Sequence, residues 1–149
     1  MTKVKIWAQF NHEYGLPAYE SLGAAGMDIR ANEKVLIQPK ETKLIGTGMY
    51  MSIPEGYEIQ VRPRSGLSLK TKFRIPNSPG TIDSDYLGEL CVISENTHSS
   101  VEMNITIGER IGQIVLCPIE KLEWEVVYSK EELGSTQRGS SGFGSTGTH

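Results

Sequence analysis

Apolar residues recur in this chain at every second position, not at every third or fourth. Tyr57, Ile59 and Val61 alternate with Glu58, Gln60 and Arg62, and Val101, Met103, Ile105 and Ile107 alternate with Glu102, Asn104, Thr106 and Gly108. Residues two apart share a face only in an extended backbone, so each run reads as a strand with one buried side. Similar short runs occupy 35–37, 44–51, 90–94, 114–118 and 124–128. Pro39-Lys40, Pro54-Glu55-Gly56, Asn77-Ser78-Pro79-Gly80 and Glu95-Asn96-Thr97 fall between them and supply turn residues. Many short strands at this spacing predict an all-β antiparallel sandwich or barrel. Helical signals are confined to a short stretch after Ser65 and another after Ser129, where Ser129 and Glu132 have capping-box spacing.

A chain of 149 residues makes one domain and buries a core without metals or disulfides. Small all-β chains of this kind often cover their sheet edges with copies of themselves. The formal charge is −3, and Lys3, Lys5, Lys34, Lys40, Lys43, Lys70 and Lys72 are scattered, which argues against a nucleic-acid partner. No apolar run approaches the length of a membrane span, and the N-terminus has no signal-peptide stretch. Cys91 and Cys117 each sit in an apolar segment and read as small hydrophobes. Together with His12, His98 and His149, which lie far apart, they offer no metal-ligand spacing. The reading is a reducing, cytosolic compartment.

Four internal segments carry candidate chemistry. In Arg62-Pro63-Arg64-Ser65-Gly66-Leu67 a strand runs into a helix start, with Ser65 the expected N-cap. Free amides beside Arg64 would suit an anion, and a plain capped turn is the alternative. Asn77 to Tyr86 turns at Pro79-Gly80 and is expected to form a hairpin. If extended beyond it, Asp83 and Asp85 share a face and Tyr86 takes the other; a carboxylate there can serve as general base, or cap backbone amides. Gly108-Glu109-Arg110-Ile111-Gly112-Gln113 places small residues on a strand, where Gly112 admits a close approach or marks a bulge. In Ala25-Gly26-Met27-Asp28-Ile29-Arg30, Asp28 can touch a metal–phosphate complex or pair with Arg30 or a core arginine, and the structural pairing is the preferred reading.

The C-terminal stretch 134–149 is almost all Gly, Ser and Thr up to Thr148, broken by Gln137, Arg138 and Phe143. Such a composition buries too little apolar surface to offset its ordering entropy, so it is expected to be mobile in the free protein. Yet a guanidinium that forks onto phosphate and a ring that stacks on a base, set among glycines, suit a nucleotide. A plain solvated tail is the alternative on composition alone.

Each segment alone is weak, but their order and spacing are not. Ala25 to Ile29, Pro63 to Leu67, Gly80 to Gly88, Gly108 to Ile114 and Arg138 to Gly147 resemble the five ordered motifs of the homotrimeric deoxyuridine triphosphatases (dUTPases), over residues 16–147. The resemblance implies a jelly-roll-like β-barrel, with a barrel domain at 1–133 and a C-terminal arm at 134–149 exchanged between subunits of a trimer. It implies hydrolysis of dUTP to dUMP and pyrophosphate with Mg²⁺, which keeps uracil out of DNA and supplies dUMP for thymidylate synthesis. Carried over residue by residue, Asp83 is the general base. Arg64, Ser65, Gly66 and Gln113 bind phosphates, and Asp28 touches Mg²⁺ through water. The segment holding Asn77, Gly80, Thr81 and Ile82 takes the uracil, and Tyr86 packs under the deoxyribose and excludes a 2′-hydroxyl. From the arm, Arg138 clamps the γ-phosphate, Phe143 stacks on the uracil, and Gly142, Gly144, Ser145 and Thr146 complete the contacts.

Leu87 replaces a residue that is frequently polar or basic in the family, Gly112 stands where Ala is frequent, and Ser141 stands where Gly is common. Two other readings compete. A dCTP deaminase of the same superfamily needs a catalytic Glu, where Asp83 stands. A nucleotide-sensing regulatory module would not need Asp83, although a second role through a protein partner stays open; no long insertion separates the motifs. The expected location is the cytoplasm, or the host cytoplasm or nucleus for a viral protein.

Overall fold

Which alternating runs find a partner decides the architecture. The computed structural model describes residues 1–142. Ten strands lie among them: β1 (Lys5–Ala8), β2 (Met27–Arg30), β3 (Val35–Ile37), β4 (Thr42–Ser52), β5 (Tyr57–Arg62), β6 (Phe73–Arg74), β7 (Gly80–Ile82), β8 (Glu89–Asn96), β9 (Met103–Ile105) and β10 (Arg110–Pro118). The helical elements among the described residues are α1 (Ser65–Lys70) and a 3₁₀ turn (Glu131–Leu133). The strands pair antiparallel into two four-stranded sheets, β1-β4-β8-β6 and β2-β10-β5-β7, and a two-stranded β3-β9. This is the expected all-β, jelly-roll-like fold, with sheets that share a core without closing into one continuous barrel.

Ile45, Met49, Leu90 and Val92 from the first sheet meet Ile29, Ile59, Val61, Ile111 and Ile114 from the second, and Ile37 and Ile105 close the end. Each such side chain contributes about 1.5–3 kcal/mol on full burial. Alternation is cleanest in β8, where Leu90, Val92, Ser94 and Asn96 are buried in turn. Asn96, expected in a turn, instead ends the strand inside the core. Its Nδ2 donates to the Ile37 and Val101 carbonyls at 3.1 and 2.8 Å, and its Oδ1 accepts from the His98 amide at 3.0 Å. A buried amide with partners on both ends clasps β3, β8 and the following loop together.

Two alternating runs depart from expectation. Of 101–107 only β9 is strand; Val101 and Ile107 lie outside it and are exposed, and beyond Ile107 the chain turns at Gly108, whose φ is 82°. The run 124–128 pairs with nothing among the described residues, leaving Trp124 82% and Tyr128 93% exposed, with Leu122 and Val126 also bare. Ser129 and Glu132 do meet as their spacing predicted, with Ser129 Oγ donating to Glu132 Oε1 at 3.1 Å. No helix of the described residues is long and apolar enough to cross a membrane.

The N-terminal loop packs onto β2 through aromatic rings. Phe10 stacks on His12 at 4.7 Å between centroids, and the Arg30 guanidinium lies 3.9 Å over the Tyr14 ring. Arg30 Nη1 also donates to the Gly108 carbonyl at 2.7 Å. Burial, and then the Arg30 charge, hold the His12 imidazole below its ordinary value of 6.5. The unfolded chain therefore takes up this proton first. The contribution of neutral His12 is present above 6.5 and is lost as pH falls through that value toward the lowered one. Replacing His12 with Phe keeps the stack and removes the titration. Its melting temperature is expected to fall less than that of the parent chain between about pH 8 and about pH 5.

Candidate functional site

The middle of β10 organises the first of two clusters. Gln113 lies opposite Asp28 on β2 and opposite Arg62 on β5. The register shifts between Arg110 and Gly112, a bulge of the kind the small residues suggested. Gln113 Nε2 donates to the Pro63 carbonyl at 2.8 Å, tying β10 to the exit of β5. Gly26 makes room for this: a Cβ there would lie 2.7 Å from Gln113 Oε1 and 3.3 Å from the Ile114 carbonyl oxygen.

Past Pro63 the chain enters α1. The N-cap is Arg64, in extended conformation, and no side chain caps the helix. Ser65, expected at that position, is the first helical residue, since the Arg64 carbonyl accepts the first bond, from the Ser68 amide at 3.0 Å. The amides of Ser65, Gly66 and Leu67 precede that bond and have no partner within the helix. Arg64 Nε donates to Asp28 Oδ1 at 2.8 Å, and Arg110 Nε stands 3.5 Å from Asp28 Oδ2. Asp28 thus pairs with Arg64 and Arg110, as the structural reading of a paired acid expected; of the partners that reading offered, Arg30 is drawn to Tyr14 instead. Arg110 had no assigned role in the sequence. Its signal was the pairing of β10 with β2, which spacing along one strand does not display.

The second cluster surrounds β7. The hairpin expected at Pro79-Gly80 does not form: β6 before it pairs with β8 in one sheet, and β7 after it pairs with β5 in the other. The segment crosses between sheets instead. Asp83 begins a turn closed by the Tyr86 amide donating to the Asp83 carbonyl at 3.2 Å, so Asp83 and Asp85 do not alternate on a strand. A cavity of about 270 Å³ is lined here by Asn77, Gly80, Thr81, Ile82, Asp83 and Tyr86, with Leu44, Glu89 and Cys91 on its far wall. Cys91 is half-buried; burial first, then Glu89 and Glu33, push its thiol up, so it stays protonated. The Asp83 carboxylate is exposed and has no hydrogen-bond or ion-pair partner among the described residues.

The two clusters do not meet within one chain. β7 runs antiparallel to β5, with Gly80 opposite Val61 and Ile82 opposite Ile59. Continuing that register, Asp83 lies level with Glu58 near the start of β5, while Arg64 follows its end. The strand path between them is on the order of 15–20 Å at about 3.3 Å per residue. Arg138, in the arm, is exposed and donates through Nε to its own Ser141 carbonyl at 2.8 Å. Gly142 is half-buried and ends the described residues; Phe143, Gly144, Ser145 and Thr146 lie outside them.

Among the described residues no group of three His, Cys, Asp or Glu side chains converges as a metal cage. Asp28 is the carboxylate of the first cluster, and both its oxygens face arginines. With both oxygens engaged by guanidinium groups, Asp28 has no free oxygen to offer a cation directly, and a hard cation here would have to be held by phosphate oxygens and water.

The dUTPase family model matches residues 12–147. The chain belongs to the dUTPase family. The deoxyuridine 5′-triphosphate nucleotidohydrolase of Fusobacterium nucleatum subsp. nucleatum is 51% identical to it over 149 residues, covering 99% of each chain. A mutant dUTPase of Staphylococcus bacteriophage 80alpha, solved with dUpNHpp, superposes with a TM-score of 0.85 at 29% identity, over 99% of each chain. A mutant dUTPase of the S. aureus phage phi11, described with a structural Mg(II) ion, gives 0.76 at 26% identity, over 87% of this chain and 99% of that one. In this dUTPase a methyl at position 112 would meet the Arg62 carbonyl oxygen at 3.3 Å, closer than an ordinary contact, and Ile75 Cδ1 at 3.4 Å, so an alanine there needs a small shift of β5 or β10. Leu87 is 67% exposed, and nothing in the structure explains it.

Proposed function

We propose that this chain is a dUTP diphosphatase, hydrolysing dUTP to dUMP and pyrophosphate by attack of water on the α-phosphate. The observation that carries this reading is 51% identity to a deoxyuridine 5′-triphosphate nucleotidohydrolase along essentially the whole of both chains. The reaction removes a precursor of uracil in DNA and supplies dUMP.

Asp83 is the group we assign as general base. A free, exposed carboxylate at the mouth of a cavity can accept a proton from a water poised in line with the α-phosphorus. The cavity around Asn77, Gly80, Thr81 and Ile82 takes the uracil, with no room for the 5-methyl of thymine. Cytosine would set a donor against a donor there, at a cost of about 1–3 kcal/mol. Tyr86 packs under the sugar. Arg64, the free amides of Ser65 and Gly66, and Gln113 hold the phosphates. Arg138 clamps the γ-phosphate, Phe143 covers the base, and Gly142, Gly144, Ser145 and Thr146 let the arm close over the site. Asp28 faces Mg²⁺ through water, and the ion, when bound, neutralises phosphate charge.

We assign the active unit as a homotrimer built of barrel domains 1–133, each arm 134–149 reaching a neighbour's site. Two features support it: the separation of the two clusters within one chain, and the bare face of Leu122, Trp124, Val126 and Tyr128. Its action is assigned to the cytoplasm, where Cys91 and Cys117 stay reduced.

The test is product analysis. Incubated with Mg²⁺ and, separately, dUTP, dCTP, dTTP and UTP, the chain is expected to convert dUTP alone, to dUMP and pyrophosphate. Binding of dUTP without turnover, or deamination of dCTP, overturns the assignment. Gly26→Ala is expected to turn the Gln113 amide away from Pro63 and loosen the phosphate end of the site. The measured kcat/KM for dUTP should then drop about tenfold, the scale of one lost hydrogen bond, while dUMP affinity changes little.

A further inference from the structure

Gly88 is not required by its backbone. The glycines of left-handed φ among the described residues are Gly15, Gly48, Gly56, Gly108, Gly134 and Gly139, and Gly88 is not one of them. What excludes a side chain at 88 is Tyr86. A Cβ on Gly88 would lie 2.5 Å from Tyr86 Oη, 2.6 Å from Cζ and 2.9 Å from Cε2. The ring edge rests directly on the Gly88 backbone. It is held there by the turn at Asp83 and by Oη donating to the Glu89 carbonyl at 2.9 Å. The same ring forms one wall of the cavity that also holds Asp83.

We propose that Gly88 is a positioning residue that sets sugar selectivity by fixing the Tyr86 ring where a ribose 2′-hydroxyl would go. This rests on the reading that Tyr86 packs beneath the deoxyribose. Tyr86 is half-exposed, so a methyl at 88 is relieved by rotation of the ring, not by disruption of the sheet. A rotated ring leaves the Glu89 carbonyl and opens the space under the sugar.

The experiment compares kcat/KM for dUTP and UTP in the parent chain, Gly88→Ala, Tyr86→Ala and the double variant. Gly88→Ala is expected to raise the UTP-to-dUTP ratio on the order of tenfold, mainly through a lower KM for UTP, with its melting temperature little changed. The double variant should discriminate no less well and no better than Tyr86→Ala alone. If Gly88→Ala keeps the parent ratio while Tyr86→Ala relaxes it, the role of Gly88 is overturned. If Tyr86→Ala also keeps it, the sugar-packing reading falls, and Gly88 with it. Should Gly88→Ala not fold, folding regained in the double variant supports the proposal, and folding still absent there overturns it. A parent chain that turns over no dUTP refutes the enzymatic reading instead. The ratio of dUMP to UMP affinity then scores the same variants, and a ratio unmoved by Gly88→Ala overturns the proposal.

Discussion

Asp83→Asn is expected to bind dUTP as the parent chain does and to turn it over about 10²–10⁴-fold more slowly, the usual worth of a positioned general base. The substitution is nearly isosteric. The carboxylate it replaces is exposed and makes no hydrogen bond or ion pair among the described residues, so the fold loses nothing with it. The Asp83 carbonyl, which accepts the Tyr86 amide and closes the turn, is untouched. Affinity and rate should therefore separate: equilibrium binding of a non-hydrolysable dUTP analogue unchanged, kcat reduced. Near-normal kcat would remove Asp83 from the role of base.

The second large effect concerns assembly. Trp124→Glu combined with Val126→Glu is expected to convert the proposed trimer to single chains in sedimentation velocity and to bring dUTP turnover down to background. Trp124, Val126 and Tyr128 are two apart in the sequence and bare, in a segment that pairs with no strand among the described residues. A face of this kind is worth about 1.5–3 kcal/mol per large side chain once covered. Charge there prevents covering without touching the core. Activity should go with assembly, because one chain holds Asp83 and Arg64 at opposite ends of β5. A charged variant that stays trimeric, or single chains that remain active, would refute the shared-site arrangement.

Much of the fold was legible because strand periodicity is a local signal. β3, β4, β5, β8 and β10 each contain an alternating or apolar run visible in the sequence. The failures are those of non-local pairing. The run 124–128 has the pattern of a strand and no partner among the described residues. Asn96 has the composition of a turn, yet two carbonyls from elsewhere in the chain draw it into the core. Pro79-Gly80 turns the chain between two sheets, not back on itself, because β7 pairs with β5. In the candidate site, Asn77, Gly80, Thr81, Ile82, Asp83 and Tyr86 line one cavity. Asp28 was legible as a paired acid, but not its partners, since the choice of Arg64 and Arg110 over Arg30 depends on where the Tyr14 ring sits.

The opposite placement of Asp83 and Arg64 along β5 has a genetic reading. If each copy lends its catalytic acid to one site and its phosphate-gripping loop to another, a lesion is not confined to the copy that carries it. A chain lacking Asp83 still supplies a sound loop to its neighbour, and a chain lacking Arg64 still supplies a sound acid. Two alleles that are each silent alone then restore activity when expressed together, while either one mixed with intact copies spoils a fraction of the sites set by its abundance.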